Sequence, residues 1–187
     1  MEGDARLSII IPMLKQVAAG IRPEQLDGAT PCRAFTVAGV LDHMTGLASA
    51  FGPAFRGDAP RAVDDAPSAA AEQDLQSRFQ LAMDGLLDGV GSPGAMQRTI
   101  DTPFGPMPGA MFSRLVAFDG LVHGWDLANS TGQPWDPPEA LVEEVDTFAR
   151  QAIAPEMRDG DTFAQEMPAP AGTSPLLRLI AFSGRAI

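Results

Sequence analysis

Residues 109–130 read GAMFSRLVAFDGLVHGWDLANS, and the reading of this stretch decides the fold. It holds no proline, and Gly132 follows as a natural helix stop. On a helix at about 100° per residue, Phe112, Val116 and Leu127 fall within about 40° of His123. Asp119 falls about 40° and Asp126 about 60° to one side of the same histidine, and Gly120 about 60° to the other. The three ionisable groups therefore share the apolar face. Asp119 and His123, spaced i and i+4, converge on one point. A carboxylate buried without a partner is costly, so this helix needs facing helices that supply one.

The partner is visible upstream. Thr36 is an N-cap candidate for VAGVLDHMTGLASAFGPAF over residues 37–55. Val37, Val40, Leu41, Met44, Leu47, Ala48 and Phe51 form its apolar stripe. His43 lies at the edge of that stripe, about 80° from its centre. Gly39 and Gly46 flank it at i−4 and i+3 and are expected to leave space beside the imidazole. His43 and His123 are the only histidines in the chain.

The remaining chain reads as helix punctuated by turns. A first helix is expected over 5–21, with Pro12 a kink candidate. A polar, proline-bearing loop covers 57–68, and a third helix covers 69–90 with Leu75, Phe79, Met83, Leu86 and Leu87 apolar. MQRTI at 96–100 could form a short extended piece, but no set of strands is evident. Residues 137–153 read as a fifth helix opened by two prolines. Ser174 and Pro175 open a short last one, PLLRLIAFSG. No internal repeat is seen. The expectation is an all-α chain in one domain over 1–187, its four long helices bundled and the later ones packed outside.

Composition narrows the function classes. The 187 residues carry a net charge of −11 and 45% hydrophobic residues. That balance disfavours nucleic acid and anionic membrane surfaces as partners. No apolar run approaches the roughly 20 residues of a membrane span, and no signal peptide is read at the N-terminus. A single cysteine, Cys32, offers no internal disulfide and fits a reducing cytoplasm. It reads as a buried cysteine in the turn before the second helix, with a reactive thiol or fourth metal ligand as the alternative. No dinucleotide, phosphate-loop or nucleophile-elbow motif is present.

Two imidazoles and a carboxylate on facing helices are the donor set of a catalytic zinc site with one position open. The set also suits non-haem iron, so Zn2+ heads a list that keeps Fe2+, Ni2+ and Mn2+ open. An Asp–His pair at i, i+4 also reads as a plain ion pair. Asp126 reads as support for an imidazole N–H or as an extra ligand. Arg114, Arg178 and Arg185 are candidates for binding a substrate carboxylate. Trp125 points about 200° from His123 and packs elsewhere, and Trp135 is a pocket-lining candidate. Met83, Met96, Met107 and Met111 read as core filler.

GATPCRAFTVAGVLDHMTGLASAFGPAFRG at 28–57, LVAFDGLVHGWDLANSTGQPW at 115–135 and PLLRLIAFSGR at 175–185 together resemble the mycothiol-dependent maleylpyruvate isomerase N-terminal domain family. That family belongs to the DinB/YfiT-like metalloenzymes. The resemblance implies an up-down-up-down four-helix bundle with a divalent metal, usually zinc, held by His43, Asp119 and His123. It implies mycothiol as a thiol co-substrate, a small electrophilic substrate, and S-transfer or isomerisation as the reaction. A homodimer is compatible with such a bundle. Two departures stand out: the family's usual Glu is Asp119 here, and its frequent Trp is Phe35. The full isomerase also carries a second domain that helps form its substrate site, so what the resemblance carries over is first the metal-centred pocket and then the use of a small thiol. The alternative is a metal-binding or ligand-sensing helical module without turnover.

Overall fold

A computed structural model describes residues 4–58, 74–158, 160 and 163–187. The described chain is mostly helical: α1 (Leu7–Ala19), α2 (Val37–Arg56), α3 (Leu75–Val90), α4 (Gly109–Thr131), α5 (Glu139–Ala152) and α6 (Pro175–Phe182). Two short strands, β1 (Thr99–Thr102) and β2 (Gly105–Pro108), join α3 to α4. Among the described residues no helix is long and apolar enough to cross a membrane.

The helix starts follow their caps. Thr36 Oγ1 accepts from Gly39 N at 3.1 Å. Asp74 accepts from Ser77 N at 2.9 Å, so α3 begins at Leu75. The expected start at 69 and most of the expected 57–68 loop lie outside the described residues. Ser174 caps α6 as expected. Gly57 and Gly132 end α2 and α4 in the left-handed conformation, at φ 88° and 70°, which only glycine adopts without strain.

The strand pair corrects the reading of a chain without strands. β1 and β2 pair antiparallel, with Thr102 opposite Gly105 and Thr99 opposite Pro108. Only Ile100 of β1 reaches the core. Pro106 and Pro108 have no N–H to give the ladder, and a proline-bearing stretch of four residues gives little strand signal. The turn is instead held by Thr102, whose hydroxyl donates to the Gly105 carbonyl (2.7 Å) and accepts from Phe104 N (3.1 Å).

Helices α1 to α4 form the core: α1 packs on α3 and α4, and α2 packs on α3 and α4. The α2–α3 contact is the closest. A Cβ on Gly52 would stand 2.9 Å from the Gly85 carbonyl oxygen, and one on Gly89 would run into the Gly52 backbone. Leu7, Ile10, Ile11, Leu14, Val40, Leu41, Phe55, Phe79 and Leu121 are essentially fully buried between them. Each such side chain contributes about 1.5–3 kcal/mol of transfer free energy. α5 and α6 pack on each other and on α4, which leaves α4 buried on most of its circumference.

Candidate metal centre

The site is assembled from α2, α4, the loop before α2 and the tail after α6. The loop is held by its own backbone. Val37 N donates to Gly28 O (2.9 Å), and Ala38 N donates to Leu26 O (2.9 Å). The Thr30 hydroxyl lies 2.8 Å from the Phe35 carbonyl and 3.0 Å from that of Cys32. This fixes Phe35 flat against His43, with ring centroids 5.0 Å apart and planes at 28°. The Phe35 edge also meets His123 at 6.1 Å. Space expected beside His43 at Gly39 is thereby filled, since a Cβ on Gly39 would lie 3.3 Å from the Phe35 ring.

His43, Asp119 and His123 come together. Asp119 Oδ1 lies 3.8 Å from His43 Nε2 and 3.6 Å from His123 Nε2. The two imidazole centroids are 5.1 Å apart. Donors bound tetrahedrally at about 2.1 Å stand about 3.4 Å from one another; the two gaps to Asp119 are close to that, and all three donor atoms lie within 4.8 Å of one another. The donor set and its spacing fit a divalent metal. Burial would raise the Asp119 carboxyl, but the adjoining His123 and His43 imidazoles and the Arg185 charge outweigh it and hold the group below its ordinary value.

Asp126 supports rather than converges. Its side chain is fully buried. Oδ2 lies 3.0 Å from His123 Nδ1 and 2.9 Å from Arg185 Nη2. A carboxylate only accepts, so His123 Nδ1 donates to it, and Nε2 is left as the ring atom that faces Asp119. Cys32, His123 and Asp126 also bring donor atoms within 4.8 Å of one another. In that second set the Asp126 oxygens are already engaged by Arg185. Cys32 itself is half-buried and lines the cavity rather than the core.

A cavity of about 720 Å³ opens over these groups. It is within the range of small-molecule sites. Cys32, Arg33, Phe35, His43, Asp119, His123 and Arg185 are among its lining residues. Phe104 at the tip of the hairpin stacks on Phe163 at 6.0 Å, and both line the cavity. Sequence reasoning missed these two because they come from turn-rich segments far apart in the chain.

Of the three arginine candidates, the structure places Arg185 at the site. Arg114 lies over the Phe148 ring at 5.4 Å, and Arg178 donates to the Thr173 carbonyl at 2.9 Å. Neither lines the cavity, because the faces of α4 and α6 that carry them turn outward. Trp125 is half-buried against the core, as its angle implies. Trp135 does not line the cavity: its ring fills the notch left by Gly124, and its Nε1 is buried without a partner among the described residues.

The family model for the mycothiol maleylpyruvate isomerase N-terminal domain matches residues 12–128. That span contains His43, Asp119, His123 and Asp126 and stops short of Arg185. Two uncharacterized proteins of Mycobacterium tuberculosis, MT0763 of strain CDC 1551 and Rv0738 of strain H37Rv, are each 34% identical to this chain over 179 residues. The alignments cover 90% of this chain and 90% of each relative. No solved structure matches the chain.

Proposed function

The chain belongs to the mycothiol maleylpyruvate isomerase N-terminal domain family, and from that membership we propose that it is a metal-dependent enzyme joining a small thiol to an electrophilic substrate. His43, Asp119 and His123 hold the ion, and zinc suits two imidazoles and one carboxylate. Mycothiol is the thiol that the family suggests. The closed ring of contacts among α1 to α4 supports an up-down-up-down four-helix bundle around this centre.

The observation that carries the reading is the convergence of three donor atoms from two helices in the wall of a ligand-sized cavity. A bound divalent ion supplies positive charge that favours thiolate over thiol near neutral pH. The chain's own residues supply the rest. Asp126 and Arg185 fix the His123 ring. Phe35 fixes His43. Asp119 stays anionic, and the apolar walls keep water from competing with sulfur. In the addition reaction the sulfur bonds to the electrophilic carbon, and the thiol proton ends on the adjacent carbon. In the isomerising variant the same bond then breaks and the thiol is recovered.

The test is metal analysis of purified protein against His123→Ala, with thiol consumption followed in the presence of an activated alkene. A bound equivalent lost in the variant, together with metal-dependent thiol consumption, is expected. Equal metal in both proteins overturns the proposal. Full metal occupancy without thiol consumption leaves a metal-binding module.

A further inference from the structure

The cavity lining continues from the donors along α2 and α4. Rings pair His43 with His123, and Phe51 and Phe55 with Phe112, so α2 and α4 run antiparallel past one another. Walking from His43 towards the end of α2 meets Leu47 and then Phe51. Walking from Asp119 towards the start of α4 meets Val116, Leu115 and Phe112. All five line the cavity. At 1.5 Å rise per residue, both walks cover about 10–12 Å.

Along that length the named wall side chains carry no hydrogen-bonding group. Among the described residues the charged lining groups, Arg33, Asp119 and Arg185, are close in sequence or space to the donor end. A polar body placed against Leu47, Phe51 and Val116 would leave its hydroxyls or carboxylates unpaired, at about 2 kcal/mol or more for each group. An apolar body would displace poorly bonded water and gain with every methylene.

We propose that the electrophile is amphipathic: its reactive head sits at His43, Asp119 and His123, and an alkyl body fills the chamber between α2 and α4 as far as Phe51 and Phe112. The proposal rests on the metal-centred reading for the position of the head, while the chamber's preference depends on its walls alone.

Straight-chain carboxylates from butanoate to decanoate, titrated calorimetrically into the zinc-loaded and the chelator-treated full chain, test it. Affinity is expected to rise up to about fourfold per methylene in both preparations until the chamber is full. Leu47→Trp and Val116→Trp, each on half-buried positions of facing helices, are expected to weaken decanoate by about tenfold or more and to leave butanoate within about twofold. Affinity flat across the series in the unmodified chain overturns the proposal whether or not the variants fold. Folded Trp variants that bind decanoate as the unmodified chain does also overturn it. A flat series with metal still lost in His123→Ala removes the alkyl substrate and leaves the metal centre. A rising series with equal metal in His123→Ala does the reverse.

Discussion

Arg185 Nη2 stands 2.9 Å from Asp126 Oδ2, the same oxygen that meets His123 Nδ1 at 3.0 Å. One carboxylate thus joins the chain's tail to the imidazole that faces Asp119. Arg185→Ala would leave a fully buried carboxylate without its cation, and breaking such a pair costs about 3–5 kcal/mol. Chemical denaturation of the variant should show a loss of that order, with Arg185→Lys intermediate. Metal affinity should fall by about 10–100-fold, as for other groups that orient a ligating histidine, and competition with a chromogenic chelator measures it.

Asp119 supplies the one anionic donor of the set. Asp119→Ala should abolish stoichiometric zinc binding at neutral pH. Asp119→Glu restores the acid usual in the family and should retain the metal. If the unmodified chain is loaded, a chelator should lower its melting temperature, since a ligand bound at 100 times its Kd stabilises by about 2.7 kcal/mol. The same chelator should leave the melting temperature of Asp119→Ala unchanged.

A second buried carboxylate stands just ahead of α1. Asp4 is fully buried at the side chain, pairs with Arg6 at 2.6 Å, and accepts from Arg6 N at 2.9 Å. Burial raises its pKa, but the bonds to Arg6 and Ser113 and the Arg6 charge lower it further, to a net value below 3.8. A depressed carboxyl stabilises the fold fully above its unfolded value, and that contribution is lost as pH falls through the folded one. Stability should therefore decline below pH 3.8. Asp4→Asn should lose about 2 kcal/mol at neutral pH and show a shallower acid decline, read by urea melts at successive pH values.

The α2–α3 seam makes two glycines of one helix behave oppositely. Gly89→Ala would push a methyl group into the Gly52 backbone, and Gly85→Ala would point one into open space. Forced separation of the helices should cost about 1–3 kcal/mol at 89. Better helix propensity should gain about 0.5–1 kcal/mol at 85. Thermal melts of the two single variants decide it, and equal shifts would contradict the seam.

The helical skeleton was largely legible because long periodic stripes and side-chain caps are local signals. Thr36, Ser174 and Gly132 each mark their boundary in the sequence. The hairpin was half legible: the extended piece expected at 96–100 overlaps β1 at Thr99 and Ile100, but β2, with Pro106 and Pro108, carries no strand signal. The angular count placed Asp119, His123 and Asp126 on one face, and the structure brings His43 to the first two. It could not show that Phe35 would occupy the room beside Gly39, or that Arg185 rather than Arg114 or Arg178 would reach the site. Those outcomes depend on how the loop 28–36 and the tail after α6 fold back, which no helical period encodes. Trp135 escaped for the same reason: the notch at Gly124 that receives it exists only once α4 has packed.

The pairing of Asp126 with Arg185 has a consequence for the order of synthesis. A chain made from its N-terminus tends to fold in that order, and α1 to α4 are complete at residue 131, before any of α6 exists. Until Arg185 arrives, collapse of the helical core would enclose a carboxylate paired with the His123 ring alone. The nascent chain is thus disfavoured from closing around Asp126, and docking of α6 becomes the event that commits the interior. A ribosome stalled before residue 185 would hold a chain whose helices are all written but whose central carboxylate still lacks its cation.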